Sequence, residues 1–548
     1  MKLDGATYDE VTSRFAWDIP AKFNIARAIS GRHAAATPEA TALTFEAADG
    51  ELSHWSFRRV EECASRLANG LSALGVGKGV IVGIGLPQSP ETLISHIAVQ
   101  KLGAIALPLF ALFGPDAVAY RLADSGAPVL ITGAEALERA RAEIDAIATL
   151  RHRLIVRSAG GKLALGRDEH EFWSFLERGA GELETAQSLA EDPALLIYTS
   201  GTTGNPKGVL HAGRVLLGHL PGVALPQDLF PQPGDRFWTP ADWAWAGGLL
   251  DVLMPSLYHG VTVVGSARAK FDPEWAFELM ARHGVRNVFM PPTALRLMRQ
   301  VQEPRHFGCR LRSIGTGGER LGEDMIAWGR DTFGLTMNEF FGQTEVNLVV
   351  GNSATLFPVR PGSMGRAIPG HRVEIVDNDG HVLPAGKTGI VAVRRPDPVM
   401  FLEYWRKPEA TAEKFRGDWC LLGDVASKDE DGYFWYQGRD DDIISSAAYR
   451  IGPGEVEECL MKHPAVALAG VIGSPDPIRG EVVAAFIVPR QGVTPSRELA
   501  ADIQTFVKQR LAAHEYPRKI RFIKEMPMTV TGKVRRVDLR KMDAESPD

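Results

Sequence analysis

Hydroxyl, glycine and lysine residues are concentrated in one segment, Tyr198–Gly208, which reads YTSGTTGNPKG. It follows an apolar run at 192–200 that is typical of a buried strand. Glycines let the backbone approach an anion closely, hydroxyls donate hydrogen bonds, and the lysine adds positive charge. The segment could therefore bind phosphate, although a surface turn rich in small residues would have a similar composition. It is not the G-x-x-x-x-G-K-[ST] phosphate loop, because Pro206 stands where that loop has a glycine.

Carboxylates, hydroxyls and cations recur in short segments farther along the chain. These are GGER at 317–320, EFFGQTE at 339–345, LGDVA at 422–426, GRDDD at 438–442, AAYRIG at 447–452 and VTGKVRR at 530–536. A carboxylate accepts hydrogen bonds at two oxygens and binds Mg²⁺, and lysine or arginine neutralises phosphate charge. Taken singly, each segment is also explained by an exposed turn or a solvated charge.

The elements that must position these segments alternate between helices and short apolar strands. Helical spacing runs from Phe57 to Leu74, an apolar strand follows at 80–86, and a second helix is predicted from Pro90 to Leu102 before the apolar run at 104–110. This succession predicts a parallel sheet with both faces covered. Beyond about residue 355, apolar and polar residues alternate around Gly, Asp and Asn turns, which is typical of antiparallel structure.

The length of 548 residues predicts more than one domain. After the acidic run at 440–442 the chain has its own helix–strand–strand–helix–strand pattern over about 110 residues, enough for a small α+β domain. We therefore expect an α/β fold: a large N-terminal domain (1–438) of parallel-sheet layers and a β-rich part, and a small C-terminal domain (439–548).

The composition excludes several classes of protein. The net charge of −6 argues against a nucleic-acid partner, which would need a basic face. The sequence has no apolar run that approaches the roughly 20 residues of a membrane span, and its acidic N-terminal segment does not resemble a signal peptide. The four cysteines lie far apart without metal-ligand spacing, so we expect a cytoplasmic protein.

Considered as a series, these segments resemble the core motifs of the adenylate-forming (AMP-binding) superfamily, which includes acyl-CoA synthetases, luciferases and the adenylation domains of peptide synthetases. The resemblance extends from about Phe23 to Arg540. It implies that Thr344 binds phosphate, Glu345 binds Mg²⁺, Phe341 lies against adenine and Asp424 accepts the ribose hydroxyls. The full set of ATP-binding residues that it implies is Thr199, Ser200, Gly201, Thr202, Thr203, Gly204, Lys207, Gly318, Glu319, Arg320, Glu339, Phe340, Phe341, Gly342, Gln343, Thr344, Asp424, Arg439, Arg450 and Lys533.

The same resemblance implies a moving C-terminal domain. Asp441 is similar to the family's hinge residue, whereas Asp440 and Asp442 are expected to be solvated. Lys533 resembles the lysine that bridges the substrate carboxylate and the α-phosphate, and Arg450 the arginine that approaches the nucleotide after rotation; with Thr344 and Glu345 they form the expected catalytic set. Coenzyme A is expected near Ala447, Ala448 and Tyr449, although relatives commonly have glycine at 448.

The acyl pocket is predicted from the likeness to acetyl-CoA synthetases. Those enzymes carry a tryptophan immediately before Gln-Thr-Glu that closes the pocket, and here the position is Gly342. The remaining predicted wall residues are Trp245, Ala246, Gly247 and Gly317, while Trp243 is either a wall residue or a core aromatic. Small wall residues leave room for several methylenes, so we expect a medium-chain, short branched or aryl acid rather than acetate, with medium chain preferred.

The predicted function is an ATP-dependent acid–thiol ligase that forms an acyl-adenylate with Mg²⁺ and transfers the acyl group to coenzyme A. Alternatives are an enzyme that loads a carrier protein, a luciferase-like oxygenase and an acetate- or propionate-CoA ligase. A nucleotide-binding regulator without turnover would not need Lys533. Acylation of Lys533 would remove its charge and silence adenylation.

Overall fold

The computed structural model describes residues 3–157, 165–199, 206–268, 270–439, 442–446, 449–476, 480–511, 515–529 and 532–545; the side chains of Ser445, Tyr449 and Arg450 are not described. Its strands are β1 (Thr41–Glu46), β2 (Leu52–Ser56), β3 (Ile81–Gly85), β4 (Ile105–Pro108), β5 (Val129–Gly133), β6 (His152–Val156), β7 (Glu169–Glu171), β8 (Pro193–Thr199), β9 (Lys207–Ala212), β10 (Arg236–Trp238), β11 (Thr262–Ser266), β12 (Asn287–Phe289), β13 (Ser313–Gly317), β14 (Asn338–Phe341), β15 (Val350–Gly351), β16 (Arg366–Ala367), β17 (Val373–Val376), β18 (Thr388–Arg394), β19 (Glu403–Tyr404), β20 (Phe415–Arg416), β21 (Trp419–Lys428), β22 (Phe434–Arg439), β23 (Ile444–Ser446), β24 (Tyr449–Ile451), β25 (Val466–Asp476), β26 (Gly480–Pro489) and β27 (Lys519–Phe522).

The helices connect these strands. They are α1 (Tyr8–Arg14), α2 (Arg32–Ala36), α3 (Phe57–Ala73), α4 (Pro90–Lys101), α5 (Pro115–Ser125), α6 (Ala134–Arg139), α7 (Arg141–Asp145), α8 (Phe172–Glu177), α9 (Val215–Ala224), α10 (Ala246–Gly248), α11 (Met254–Tyr258), α12 (Pro273–Arg282), α13 (Pro292–Met298), α14 (Glu323–Phe333), α15 (Pro408–Glu413), α16 (Pro453–Met461), α17 (Arg497–Lys508) and α18 (Arg536–Glu545). The turns Arg27–Gly31 and Leu249–Leu253 are π-helical, and Pro304–Phe307 is a 3₁₀ turn. No helix among the described residues is both long and apolar enough to cross a membrane.

Two large sheets form the first part of the molecule. The first sheet has nine strands in the order β16-β15-β14-β13-β12-β10-β11-β1-β2, and the run from β14 to β1 is parallel. The second sheet has eight strands in the order β19-β9-β8-β4-β3-β5-β6-β7, parallel from β8 to β7. The predicted α/β class is therefore confirmed, and the predicted parallel pairing of the apolar runs near 81 and 105 is the β3–β4 pair.

Helices α3 and α4 show why these segments fold as they do. Ser56 and Ser89 cap them, each side chain accepting a backbone N–H bond, from Arg59 and Thr92 respectively. Nearly every side chain of α4 is buried, since one core includes residues of both large sheets, among them Leu43 and Leu195. A helix enclosed on all sides has no solvent-facing stripe, which explains why its apolar residues are not confined to one face.

Two smaller sheets follow. The third sheet is antiparallel, in the order β17-β18-β21-β20 with β22 beside β21, and its core is continuous with Val209 of the second sheet. The fourth sheet has the order β24-β23-β26-β25 with β27 parallel to β26, and it packs against α16, α17 and α18. The described core residues of this last part all lie between Ile444 and Leu539.

Candidate active site

The predicted nucleotide segments meet where adjacent strands end. Strands β13 and β14 are parallel neighbours, with Gly317 opposite Phe340, so the segments that follow them, 318–320 and 342–345, lie side by side. In the second sheet Thr199 pairs with Lys207, which brings together the two ends of the predicted phosphate loop. The loop residues Ser200, Gly201, Thr202, Thr203 and Gly204 themselves lie outside the described residues.

Glu345 is tied to the second sheet by a tyrosine that the sequence analysis missed. The buried Tyr404 hydroxyl donates a hydrogen bond to Glu345 Oε1, and the Nζ of Lys207 lies 5.0 Å from the Tyr404 ring centroid. Tyr404 belongs to β19, which pairs with β9 directly after Lys207. Only this pairing between distant segments reveals the contact, because nothing in the local sequence around Tyr404 distinguishes it from a core aromatic.

Asp424 is 4% exposed and receives two hydrogen bonds, one from the Gln343 amide and one of 3.3 Å from the Tyr436 hydroxyl. Desolvation raises the pKa of Asp424, and the positive charges of Arg439 and Lys533 oppose that shift. Arg439 is its register partner in the β21–β22 pair. The positive charges of Arg439 and Lys533 favour the ionised form of Asp424. An ionised carboxylate only accepts hydrogen bonds, which suits the predicted contact of Asp424 with the ribose hydroxyls.

Lys533 reaches this site from the loop that precedes α18. Its Cε lies 3.8 Å from the position that a Cβ on Gly318 would occupy, and two carbons of the Trp245 ring lie 3.7 Å from the same point. Lys533 retains exposed surface in the open cleft, yet desolvation by the surrounding protein lowers its pKa, against the attraction of Asp424 and Glu319. The structure thus brings a lysine from the far end of the chain to the predicted nucleotide residues.

Glu319, Arg320 and Glu339 belong to the predicted ATP-binding set. Glu319 accepts hydrogen bonds of 2.9 Å from Thr293 Oγ1 and 2.8 Å from Arg296 Nη1. Glu339 is buried, and desolvation raises its pKa to about 7. Arg320 lies 3.6 Å from Glu458, a contact between the first sheet's segment and α16.

Two phenylalanines from the same motif differ in placement. Phe341 is partly buried, with its ring centroid 6.3 Å from that of Tyr436. Phe340 is buried instead in the protein interior, 5.2 Å from the ring centroid of Phe289. Its side chain therefore contributes to core packing together with Phe289.

The small residues at the predicted wall positions do not by themselves leave open space beside them. A Cβ on Gly317 would lie 2.6 Å from the Phe340 ring, and one on Gly247 would lie 2.7 Å from Phe289. A Cβ on Gly342 would collide with the backbone nitrogen of Leu348. The glycines are thus sites of close packing, because aromatic rings and a backbone turn fill the space beside them.

Trp243 and Trp245 differ although they are two residues apart. Trp243 has no exposed surface and packs over Gly265 in the main core, so it is a core aromatic rather than a wall residue. Trp245 is partly buried, and its ring lies beside Phe289 and the Lys533 cleft, while Ala246 is buried at the start of α10.

The predicted hinge region is described only in part. Asp441, Ala447 and Ala448 lie outside the described residues, and Tyr449 and Arg450 are described by their backbone alone, within β24. The expectation that Asp442 is solvated is wrong: it is 6% exposed and accepts hydrogen bonds from Arg536 and Arg540.

Comparison with known proteins shows the family to which the chain belongs. Residues 31–405 match the AMP-binding enzyme model, and residues 455–533 match the AMP-binding enzyme C-terminal domain. The chain belongs to the AMP-binding enzyme family. It is 35% identical to the acetyl-coenzyme A synthetase of Bacillus subtilis (strain 168), over 98% of this chain and 96% of that protein. It is 34% identical to human mitochondrial acyl-coenzyme A synthetase ACSM2B, over 95% of this chain and 91% of that protein.

The crystal structure of the anthranilate CoA ligase AuaEII in complex with anthranoyl-AMP matches with a TM-score of 0.86 and 29% identity, over 96% of this chain and 98% of that one. Membership of the AMP-binding enzyme family and the nature of these relatives confirm the predicted enzyme class, an AMP-forming acyl-CoA ligase.

Proposed function

We propose that this AMP-forming ligase activates a carboxylic acid larger than acetate and transfers it to coenzyme A, with the predicted residues in the roles given above. One observation carries the proposal: the charge of Lys533 interacts with Asp424 and Glu319, and its Cε and the Trp245 ring approach the same point beside Gly318, at 3.8 and 3.7 Å. A cation in that position can meet a phosphate on one side and a carboxylate on the other. Such a bridge is needed when two anions must react.

In the first step a carboxylate oxygen of the acid attacks the α-phosphorus of ATP. The new P–O bond gives the acyl-adenylate, and the bond to the β-phosphate oxygen breaks to release pyrophosphate. Lys533 neutralises developing charge, Asp424 orients the ribose, and Thr344 and Lys207 hold phosphate oxygens. Positioning and charge stabilisation account for most of the catalysis in phosphoryl transfer.

The donor set around Glu345 fits a magnesium ion. A carboxylate oxygen is a ligand that Mg²⁺ prefers, and Mg²⁺ usually takes one or two carboxylates together with substrate phosphates. Glu345 would hold the ion, and Tyr404 would orient the carboxylate through its hydroxyl. When bound, Mg²⁺ supplies charge neutralisation to the phosphates.

In the second step the thiol of coenzyme A loses its proton and its sulfur attacks the carbonyl carbon of the adenylate, forming the thioester and releasing AMP. The proposed boundary at 438/439 and the hinge at Asp441 would let residues 439–548 rotate. Rotation withdraws Lys533 and brings the Tyr449–Arg450 strand toward the site. The separate core between Ile444 and Leu539 supports movement as a unit.

The size of the acid is proposed from two features. No indole projects from position 342, and Trp245 presents a partly exposed ring beside Lys533. Because the flanks of Gly247, Gly317 and Gly342 are filled, we place the acyl group between Trp245 and the segment 342–348. A medium-chain, short branched or aryl acid remains the proposal, and anthranilate, the substrate named for a structural neighbour, is of the aryl class.

The test is a panel of acids (acetate, butyrate, hexanoate, octanoate, isobutyrate and benzoate) assayed with ATP and Mg²⁺, with and without coenzyme A. We expect coenzyme A-dependent AMP release, with kcat/KM for a larger acid at least about tenfold above acetate, as a few buried methylenes allow. A higher kcat/KM for acetate would contradict the size argument. Pyrophosphate exchange without coenzyme A-dependent AMP release would favour a carrier-protein acceptor.

We also propose that Lys533 is open to acylation. The residue keeps exposed surface in the cleft, and a lowered pKa increases the fraction of its amine that is uncharged and nucleophilic. Acylation would remove the charge that the first step requires. A chemically acylated enzyme that retains adenylation, with the modification verified at Lys533 by mass spectrometry, would contradict this.

A further inference from the structure

A buried carboxyl group that the chemistry above does not use lies behind the proposed acyl pocket. Asp251 is 4% exposed and belongs to the π-helical turn Leu249–Leu253. It follows Gly247 by four positions in one helical segment, so the two residues share a face. Asp251 therefore lies one helical turn beyond a predicted wall residue.

A chain of hydrogen bonds links Asp251 to the other wall of the pocket. The Asn347 amide nitrogen donates to Asp251 Oδ1 at 2.7 Å and to His219 Nε2 at 3.1 Å. His219 Nδ1 in turn donates to the Val215 carbonyl at 2.7 Å, which leaves Nε2 as an acceptor. Both amide hydrogens of Asn347 are thus used, and the orientation of its amide is determined.

The oxygen of that amide lies against Gly342. Asn347 Oδ1 is 2.7 Å from the position that a Cβ on Gly342 would occupy, and Asn347 is only partly buried. Since an amide oxygen has two lone pairs, this atom offers an acceptor at the wall where acetyl-CoA synthetases carry an indole. The wall at position 342 is therefore polar.

Asp251 offers the complementary donor. Desolvation raises the pKa of Asp251 well above its ordinary value and lowers that of His219 to about 4, which favours the neutral form of both groups. A neutral carboxyl whose Oδ1 accepts from Asn347 carries its proton on Oδ2. Within the described part of the chain Oδ2 has no hydrogen-bond partner, so a ligand or water that reaches it can accept its proton.

We propose that Asp251 and Asn347 bind a hydroxyl group carried by the acid, so that the preferred substrates are hydroxy-substituted carboxylic acids. A hydroxyl both donates and accepts, so it can accept from Asp251 Oδ2–H and donate to Asn347 Oδ1. The inference rests on the proposed placement of the acyl pocket between Trp245 and the segment 342–348. It refines the acid class, since a plain alkyl chain would leave both polar groups unpaired.

The test compares matched acids on the full-length enzyme. Benzoate is paired with each of its three monohydroxy isomers and hexanoate with its ω-hydroxy derivative, and coenzyme A-dependent AMP release gives kcat/KM for each. Sites built to hydrogen-bond a substrate hydroxyl reject the analogue that lacks it. We expect at least one hydroxy acid to exceed its parent by about tenfold or more.

Substitutions of Asp251 test whether the buried carboxyl group causes that preference. Asp251→Leu should lower the ratio of kcat/KM for the hydroxy acid to kcat/KM for its parent acid by about tenfold. Both values come from one preparation, so loss of folded enzyme does not change their ratio. Asp251→Asn keeps one donor and one acceptor and should retain the ratio. Asp116→Leu, at an exposed position of α5, is the matched control.

Three outcomes would overturn the inference: a preference for the unsubstituted acid in every pair, turnover of both acids of every pair at equal kcat/KM, or an unchanged ratio in Asp251→Leu. If the enzyme turns over both kinds of acid without a hydroxyl preference, this inference is contradicted and the proposed function is not. Absence of AMP release with every acid would instead contradict the proposed function.

Discussion

Lys533 illustrates how one residue depends on surroundings that its own segment does not supply. Its loop holds it through a backbone hydrogen bond of 3.0 Å from the Lys533 N–H to Thr529 Oγ1, while its charge interacts with Asp424 and Glu319, more than a hundred positions away. The same cleft lowers its pKa, so its charge is sensitive to pH over a range where an ordinary lysine stays protonated.

Replacing Lys533 by alanine removes the cation that neutralises the two reacting anions. We expect Lys533→Ala to lower adenylate formation by about 10²–10³-fold, as for loss of one preorganised donor. Pyrophosphate exchange measures that step, and thioester formation from supplied acyl-AMP should be retained, because the lysine is withdrawn for the second step. Lys524→Ala, an exposed lysine nearby, is the control. Equal loss of both half-reactions would contradict the assigned role.

The sign of the pH dependence follows from the direction of the pKa shift. The protonated lysine is the active form, and its pKa lies below the ordinary value. Adenylation should therefore decline on the alkaline side at a lower pH than a normal lysine would give, which a pH profile of pyrophosphate exchange measures.

At the scale of elements, Asp442 joins the segment that leads into β23 to the last helix, α18. Its Oδ1 accepts from Arg540 Nη2 at 2.7 Å and its Oδ2 from Arg536 Nη1 at 3.3 Å, while Arg536 also donates to both oxygens of Glu457 at 2.7 Å. The network connects β23, α16 and α18. A charge that is buried among two arginines orders these elements against one another.

Breaking this network should loosen α18. We expect Asp442→Asn to destabilise the docking of that helix by about 2 kcal/mol, below the usual cost of a broken buried pair because Arg540 is 38% exposed. Hydrogen exchange should then speed up by roughly 30-fold for the amides of Arg536–Glu545. Asp379→Asn, on an exposed hairpin turn, is the control. Unchanged exchange would mean that apolar packing at Leu539 alone holds the helix.

At the scale of the whole molecule, the fourth sheet and its helices are docked with Lys533 in the nucleotide cleft. A polar contact helps to hold this arrangement, with Arg320 Nη1 at 3.6 Å from Glu458 Oε2. Glu458 is also the α16 residue that lies nearest to the position that a Cβ on Gly322 would occupy. This is the arrangement that the proposed first half-reaction requires, because the mechanism proposed above places Lys533 at the reacting groups.

Reversing the charge at that contact should disfavour the arrangement. Glu458→Lys puts two cations together, and we expect adenylation to slow by about fivefold, equivalent to about 1 kcal/mol for a partly exposed pair. Thioester formation from supplied acyl-AMP should not slow, since that step uses the rotated position. The matched control is Glu498→Lys on the exposed side of α17. A variant slowed equally in both steps would show that Glu458 matters for folding rather than for this arrangement.

The sequence by itself determined the elements and the order of the chemical segments. Helices α3 and α4, the buried strand β8 and the C-terminal pattern were predictable because periodicity and capping are local properties of the chain. Lys533 and Asp424 were recognisable because a short motif surrounds each of them.

Only the tertiary structure decided how the space between those segments is filled. Phe289 and Phe340 fill the flanks of Gly247 and Gly317, and Asn347, hydrogen-bonded to Asp251, lies against Gly342, where the proposed acyl pocket would have a polar wall. Packing and desolvation depend on side chains that are distant in sequence, and no local pattern records which of them meet. The enzyme class could thus be predicted from residue order, whereas the shape and polarity of the acyl pocket required the fold.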